Sequence, residues 1–418
     1  MKNVKGTKDI LPDESPLWQR LESTFRTMPA LFGYKEIRTP IFESTDLFKR
    51  GVGEGTDIVG KEMYSFSKSE DGESLTLRPE LTASVARAVM QYNLIRHYPT
   101  LRLWYYGPCF RYEQPQQGRQ RQFHQIGAEC MGTTNPEADA EVIILANSIL
   151  KNCDIADYKL NINSIGDTET RAVYKKVLVD FLNDNLSKLS EDAQKRLATN
   201  PLRTLDSKDA RDREVVKNAP SILDYLNSES KEKFEQLQTL LTASGVSFEI
   251  NSRLVRGLDY YSNTVFEFIT DKLGSQDALG GGGRYDNLTA LLGGNPIPGV
   301  GFALGVERLI LLAQQNEQPA EAKAQVMIVS EQAFNGIVFN IANTLRAQGI
   351  SIVTDLQQRS FKSQFKDADK SGVKSVIVIG ENEAAQQAVT IKNMVSGAQH
   401  ENVDYANIVT VLQEILNG

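Results

Sequence analysis

Arg111 and Glu113 stand two residues apart at the end of an apolar, aromatic run, Leu101 to Glu113, that reads as a β-strand. A strand would place both side chains on one face. Across the polar connection Gln114 to Arg121, the residues Phe123, Gln125, Gly127 and Glu129 repeat the same period. The second strand of a hairpin would therefore carry a ring, an amide, a gap and an acid on one side. Such a face could hold an anion and stack a flat ligand, or it could be a solvated antiparallel face laced by cross-strand ion pairs. Further on, Arg253-Leu254-Val255-Arg256-Gly257-Leu258-Asp259-Tyr260-Tyr261 sets two arginines among apolar and tyrosine residues. An arginine taken out of water needs an anion, either a protein carboxylate or a ligand phosphate. Glycines in Gly299 to Glu307 open a strand-to-helix junction that presents Glu307-Arg308 in the first helical turn. An ordinary exposed pair is the competing reading there.

Other chemistries lack their residues. There is no GxxxxGK[ST] loop and no HExxH, and the run Gly280 to Gly283 does not complete GxGxxG because position 286 is Asp. Four consecutive glycines permit close backbone approach, to a ligand or to a neighbouring strand. Three histidines, His97, His124 and His400, are too few for multi-histidine metal chemistry. No metal site made of protein side chains is expected, although carboxylates with phosphate could hold a metal. Cys109, Cys130 and Cys153 are odd in number and widely spaced, which predicts free thiols in a reducing compartment.

The 418 residues, 41% apolar and 24% charged, suit a soluble globular chain of two or three domains at about 150 residues each. With 46 Lys and Arg against 53 Asp and Glu, any nucleic-acid contact must rest on local patches. Met1 to Glu14 lacks the apolar core of a secretory signal, and Val300 to Ala313 is broken by Glu307 and Arg308. A cytoplasmic protein that crosses no membrane is expected.

Ser15-Pro16 predicts a helix start with Gly33 as its stop and Pro29 kinking or shortening the last turn. Leu81 to Tyr92 reads as a helix, Asn135-Pro136 caps another through about Leu150, and Leu160 to Ile165 reads as a strand. Charged helical residues dominate about 168–245, an inserted helical subdomain, and strand character returns over Val246 to Ile269. Pro298 to Ala303 reads as a strand running into a helix at Leu304 to Gln314, and Gln315 to Lys323 reads as a polar linker. Beyond it, strands at Gln325 to Ser330, Ile350 to Asp355 and Ser375 to Gly380 alternate with helices, which predicts a separate α/β domain.

Taken together, these pieces resemble a known family. Phe110-Arg111-Tyr112-Glu113 with Gly118-Arg119, Arg121 and Phe123 is similar to motif 2 of class II aminoacyl-tRNA synthetases; Gly33 to Pro40 resembles motif 1 and Gly299 to Arg308 motif 3. Lys5-Gly6-Thr7-Lys8-Asp9, Thr76-Leu77-Arg78-Pro79-Glu80, Leu254 to Tyr261 and Gly280 to Asp286 resemble the histidyl-tRNA synthetase family within that class. The resemblance implies an α+β fold. Residues 1–323 would form an antiparallel β-sheet catalytic core flanked by helices, with the helical insertion, and residues 324–418 an α/β anticodon-binding domain. It implies ATP with substrate-bound Mg²⁺, L-histidine and the cognate histidine tRNA as ligands, and a homodimer formed through motif 1.

The resemblance also implies roles. Arg111 and Arg256 would be catalytic, Arg111 holding the α-phosphate and the substrate carboxylate and Arg256 acting where other class II enzymes partly use a metal ion. ATP would be bound by Arg111, Glu113 (adenine amino group), Arg119 and Arg308 (γ-phosphate) and Phe123, the last stacking on adenine with Arg308. Histidine would lie among Glu80, Leu81, Thr82, Arg111, Gln125, Glu129, Arg256, Tyr260 and Tyr261. Glu80, Thr82 and Gln125 would take its ammonium, and Glu129 with Tyr261 its ring. Gln116 and Arg121 would touch the tRNA acceptor end, beside Gln114, where related bacterial enzymes often carry an arginine. In the C-terminal domain Arg359, Lys362, Lys366, Lys370 and Lys374 form a basic stripe fit for phosphate contact, or a solvated face neutralised by Asp367 and Asp369. The competing function is a histidine-binding paralogue such as the regulatory subunit of ATP phosphoribosyltransferase. Such paralogues lack the C-terminal domain and erode the motif arginines, whereas Arg111, Arg119, Arg256 and Arg308 are all present here.

Overall fold

The computed structural model describes residues 1–53, 56, 58–67, 69, 72–258, 260–274, 278–316 and 324–417. They fall in two compact units, Met1–Pro319 and Ala320–Gly418. Strands of the first unit are β1 (Lys35–Glu36), β2 (Phe42–Ser44), β3 (Tyr64–Phe66), β4 (Leu75–Leu77), β5 (Leu101–Phe110), β6 (Gln122–Met131), β7 (Lys159–Ser164), β8 (Glu249–Ile250), β9 (Ser262–Ile269), β10 (Ala278–Arg284) and β11 (Gly299–Gly305). Eight of these form one sheet in the order β1-β5-β6-β11-β10-β9-β7-β8, and β2-β4-β3 form a smaller one. The large sheet is antiparallel except at its two edges, where β1 lies parallel to β5 and β8 parallel to β7.

The period of two decides which side chains reach each face. In β6, Ile126, Ala128 and Cys130 pack into a core with Trp18, Leu21 and Phe25 of the helix Ser15–Leu31 and Ile143 of Pro136–Asn152. The odd-numbered residues of the same strand point to the other side. Trp104 packs with the first core, whereas Leu103 and Tyr105 join a second core built on the helix Thr82–Gln91 and the insertion. The insertion is helical as expected, with helices Thr168–Asp184, Glu191–Thr199, Ala210–Val216 and Ser228–Ala243. The first helix runs through Pro29 to Leu31, and Gly33 follows it at φ 75°.

One expectation fails and one open alternative closes. Only Glu249–Ile250 and Ser262–Ile269 are strand within 246–269. Between them the backbone is held by side chains instead of a ladder: Asn163 Nδ2 donates to Leu254 O at 3.0 Å, and Arg253 Nε reaches Val216 O of the insertion at 2.7 Å. The glycine run, for which approach to a ligand or to a neighbouring strand was open, lies inside β10 between β9 and β11. A Cβ on Gly282 would stand 1.9 Å from Gly301 O, and one on Gly281 2.3 Å from Phe266 O, so the glycines let three strands close up. Arg284 ends the strand almost wholly buried, paired with Asp139 and donating to Thr133 O at 2.8 Å. This pins the sheet to the first turn of Pro136–Asn152.

In the second unit, β12 (Val326–Ser330), β13 (Ile352–Thr354), β14 (Ser375–Ile379), β15 (Ala388–Asn393) and β16 (Gln399–Asp404) form a sheet in the order β13-β12-β14-β15-β16. Its first three strands are parallel and the last two antiparallel, a pair the sequence reading did not anticipate. Residues 317–323 of the expected linker lie outside the described residues, and Gln315 belongs to the helix Val306–Asn316. Arg359 is not a free member of the basic stripe: it pairs with Asp355 and Asp367 ahead of the helix Phe361–Ser371. Lys374 Nζ donates to Leu416 O at 3.2 Å, which leaves Lys362, Lys366 and Lys370 as the helical face.

Removing one partner of a buried pair strands the other, a loss of about 3–5 kcal/mol. Asp139→Ala should lower stability to urea by that order, and a loss below about 1 kcal/mol would show that Arg284 finds other acceptors.

Candidate active site

The sheet face away from the Trp18 core carries a cleft of about 1020 Å³. Glu80, Thr82, Arg111, Glu113, Arg119, Phe123, Gln125, Glu129, Arg256, Tyr260, Tyr261 and Arg308, all expected site residues, line it. Leu81, Gln116 and Arg121 do not. Leu81 is buried in the second core directly ahead of Thr82–Gln91. Gln116 and Arg119 exchange backbone hydrogen bonds, 3.0 Å each way, across a tight turn at Gly118, φ 70°. The Arg121 guanidinium lies over the Tyr112 ring, 4.1 Å from its centroid, and its side chain packs where a Cβ on Gly6 would be.

One end of the cleft is acidic. Glu129, 1% exposed, accepts from Thr82 Oγ1 at 2.8 Å, Tyr105 OH at 2.9 Å and Tyr285 OH at 2.6 Å. Burial pushes its carboxyl up to about 8 against those three hydrogen bonds, and neighbouring Glu80 pushes the same way. Three donors occupy three of about four acceptor positions and leave one for a ligand. Glu80 accepts from the backbone N–H groups of Thr82 (2.7 Å) and Ala83 (2.8 Å), so it caps the helix Thr82–Gln91 while facing the cleft. Burial raises its carboxyl too, opposed by these hydrogen bonds and by Arg111. Tyr260 and Tyr261 pack ring to ring at 4.7 Å, and Gln125 Oε1 accepts from the Cys109 thiol at 3.4 Å.

The other end is cationic, and its charges are already engaged. Arg111 and Glu113 lie beyond β5, not within it: Glu113 N turns back to Arg111 O at 2.9 Å, so a tight turn, not strand parity, puts both on the cleft. Arg111 Nε donates to Pro79 O at 2.9 Å, and its guanidinium sits over the Phe123 ring, 5.2 Å from the centroid. Phe123 thus stacks on a cation of the protein. Arg119 pairs with Glu113, so the residues expected at the γ-phosphate and the adenine amino group hold each other. Arg308 donates to Gly118 O at 3.2 Å and to Ala278 O. Glu307 and Arg308 are no exposed pair, since Glu307 accepts from the backbone and the ring of His124, both at 2.9 Å.

Arg256 resolves its open alternative in favour of a protein carboxylate: Nη1 donates to Glu267 Oε1 at 2.5 Å. Burial, the largest single influence, would lower its guanidinium, but Glu267, Tyr261 and Asp206 together hold the group above its ordinary value. Its Nε is buried with no hydrogen-bond partner among the described residues. Asp259, in the same run, lies outside the described residues.

Sequence reasoning missed Tyr105, which donates to Glu129 without lining the cleft and is signalled only by its aromatic type, and Glu267, a lining acid in an apolar strand. The insertion adds Asp206, Lys208, Arg213 and Lys217 to the wall. Among the described residues no three His, Cys, Asp or Glu side chains cluster as metal ligands.

Glu129 binds a proton in the folded protein up to about pH 8 that the unfolded chain releases near 4.5. It therefore costs stability increasingly as pH rises between these values. Glu129→Gln should gain on the parent chain in unfolding midpoint from pH 5 to pH 8. A constant difference would place the native carboxyl near its ordinary value.

The geometry can now be set beside known proteins. A family model described as "Histidyl-tRNA synthetase" matches residues 6–309, and one described as "Anticodon binding domain" matches residues 323–415. The histidine–tRNA ligase of Crocosphaera subtropica is 48% identical over 417 residues, covering 100% of this chain and 96% of its own. That of Nitrosomonas eutropha is 46% identical, covering 99% of each. The structure of apo S. aureus histidyl-tRNA synthetase superposes with a TM-score of 0.82 at 36% identity, covering 99% of this chain and 100% of that one. With a cleft acidic at one end and lined by Arg111, Arg119, Arg256 and Arg308 among its arginines, carried on a sheet matched over its full length, the chain belongs to the histidyl-tRNA synthetase family.

Proposed function

We propose that the chain is a histidine–tRNA ligase working in two steps within this cleft. The carboxylate oxygen of L-histidine attacks the α-phosphorus of ATP; the bond from that phosphorus to the bridging oxygen breaks, and pyrophosphate leaves with the electron pair. A ribose hydroxyl at the 3′ end of the histidine tRNA then attacks the histidyl carbonyl, losing its proton as AMP departs. The observation that carries this reading is the pairing of two buried carboxylates, Glu80 and Glu129, with Arg111 in one cleft. A cationic amino acid with a ring N–H fits the acids, and its carboxylate meets the arginine.

The first step brings an anion to a polyanion, so fixed positive charge is its main requirement, and the attacking carboxylate needs no base. Arg111 holds the α-phosphate and the substrate carboxylate, and Arg256 supplies charge beside them. Arg119 and Arg308 take the γ-phosphate. Glu113 reads the adenine amino group after releasing Arg119, and Phe123 offers its ring to the base. Glu129 and Tyr261 hold the imidazole; Glu80, Thr82 and Gln125 the ammonium. Magnesium enters on the phosphates of ATP and neutralises charge there. The second unit reads the anticodon, and Gln116 and Arg121, beside the motif 2 turn, contact the acceptor end. No helix of the described residues is long and apolar enough to cross a membrane, in keeping with a cytoplasmic enzyme. Exposed Ile41, Phe42 and Phe66 beside Gly33 to Pro40 fit a homodimer contact through that segment.

The deciding assay is exchange of pyrophosphate into ATP with the twenty amino acids in parallel. Exchange with histidine alone is expected; none from a folded sample would favour the histidine-binding paralogue. Arg256→His should slow exchange by about 10²–10³-fold, the cost of one charge contact at a reacting centre. Its thermal midpoint should move little, and a large drop would make Arg256 structural. Light scattering should return twice the mass of one chain, and a monomer at micromolar concentration would remove the dimer.

A further inference from the structure

Arg78 is a buried charge that the reaction scheme above leaves unused. It is 4% exposed, and among the described residues it has no carboxylate within ion-pair distance. Glu43, whose charge reaches it, is taken by Arg87 at 2.5 Å. Instead the guanidinium spends its donors on backbone: Nε on Pro108 O at 2.8 Å, Nη1 on Thr39 O at 2.8 Å and on Pro40 O at 3.2 Å. A Cβ on Gly107 would stand 2.5 Å from Nη2, so β5 carries a glycine where the guanidinium passes. Backbone groups complete the junction, Arg78 N donating to Ile41 O at 2.9 Å and Phe110 N to Arg78 O at 3.0 Å.

This position joins three segments. Thr39 and Pro40 end the motif 1 stretch, Pro108 and Phe110 end β5, and the next residue along the chain is Pro79, whose carbonyl accepts Arg111 Nε at 2.9 Å. Glu80 follows, capping the helix at the acidic end of the cleft. A lone buried guanidinium is a costly way to join loops that an apolar contact could join, unless a fixed set of carbonyl directions is what it supplies.

We infer that Arg78 is a positioning residue for histidine activation: by fixing the carbonyls around it, it sets Pro79 O and thereby the direction in which Arg111 presents its guanidinium. The inference rests on the histidine–tRNA ligase reading. Arg78 touches no substrate and acts through Arg111, so its effect depends on Arg111 having an Nε–H to offer.

A double-mutant cycle tests this. Arg78→Lys, Arg111→Lys and the double variant are compared with the parent chain in histidine-dependent pyrophosphate exchange, normalised to folded protein by thermal unfolding. Arg78→Lys alone should lower kcat by about 10–100-fold, the scale on which small misplacements of a catalytic group act, with a smaller change in KM for histidine. In the Arg111→Lys background, where no Nε remains to be oriented, the same change should cost less than about twofold, because the two residues act as one unit. Adenylate formation followed in a single turnover with enzyme in excess gives the same cycle over longer times, so a background too slow for exchange is still read. Equal losses in both backgrounds would overturn the inference, as would unchanged exchange per folded molecule in Arg78→Lys. Absence of exchange in the parent chain would sink the ligase reading itself, and this inference with it.

Discussion

A carboxyl group buried to 1% exposure at the closed end of the cleft makes demands that propagate through the sheet. Glu129 needs donors on both oxygens, and Thr82, Tyr105 and Tyr285 provide them from a helix, a neighbouring strand and the end of β10. Those side chains need room. The Tyr105 ring passes where a Cβ on Gly127 would stand, at 2.4 Å, and Tyr285 where one on Gly299 would stand, also at 2.4 Å. A Cβ on Gly301 would lie 1.6 Å from the Glu129 carboxylate itself. The glycines of β6 and β11 are thus the complement of one hydrogen-bonded acid, and the antiparallel register that sets Gly301 opposite Glu129 is part of the site.

At the cationic end the governing fact is self-pairing. Arg119 holds Glu113, Arg256 holds Glu267, and Arg308 reaches carbonyls on two segments. Arginines gathered in one cleft repel one another, and local partners lower that cost. On the proposed reading, a polyphosphate entering the cleft competes with a carboxylate for Arg119, and release of Glu113 frees an acceptor for an amino group.

What was legible in the sequence follows from which forces are local. The alternation of Phe123, Gln125, Gly127 and Glu129 could be read because strand period alone fixes it, and the structure keeps all four on one face. Arg111 and Glu113 were placed together for the wrong reason, since a turn stabilised by one backbone hydrogen bond leaves no period to detect. The glycine run offered close approach to a strand or to a ligand, and only the partners distant in the chain show that strands close up on both sides of it. Tyr105 and Glu267 went unassigned for the same reason: their roles are set by what lies across the sheet. β15 and β16 were missed outright; β16, Gln399–Asp404, is polar and mostly exposed, so it offers no apolar alternation to read.

On the proposed reading, the raised carboxyl of Glu129 also explains how one ring is chosen. Held near 8, it is mostly protonated at neutral pH, which spares the empty pocket a buried charge. A neutral imidazole, with an ordinary value of about 6.5, does not take the proton from a carboxyl held near 8, so on this reading the protonated acid donates a hydrogen bond to the unprotonated ring nitrogen. An apolar ring leaves the acid with an unused position. Specificity then comes from one buried hydrogen bond, whose direction the three hydroxyls around Glu129 and the missing Cβ of Gly301 jointly set.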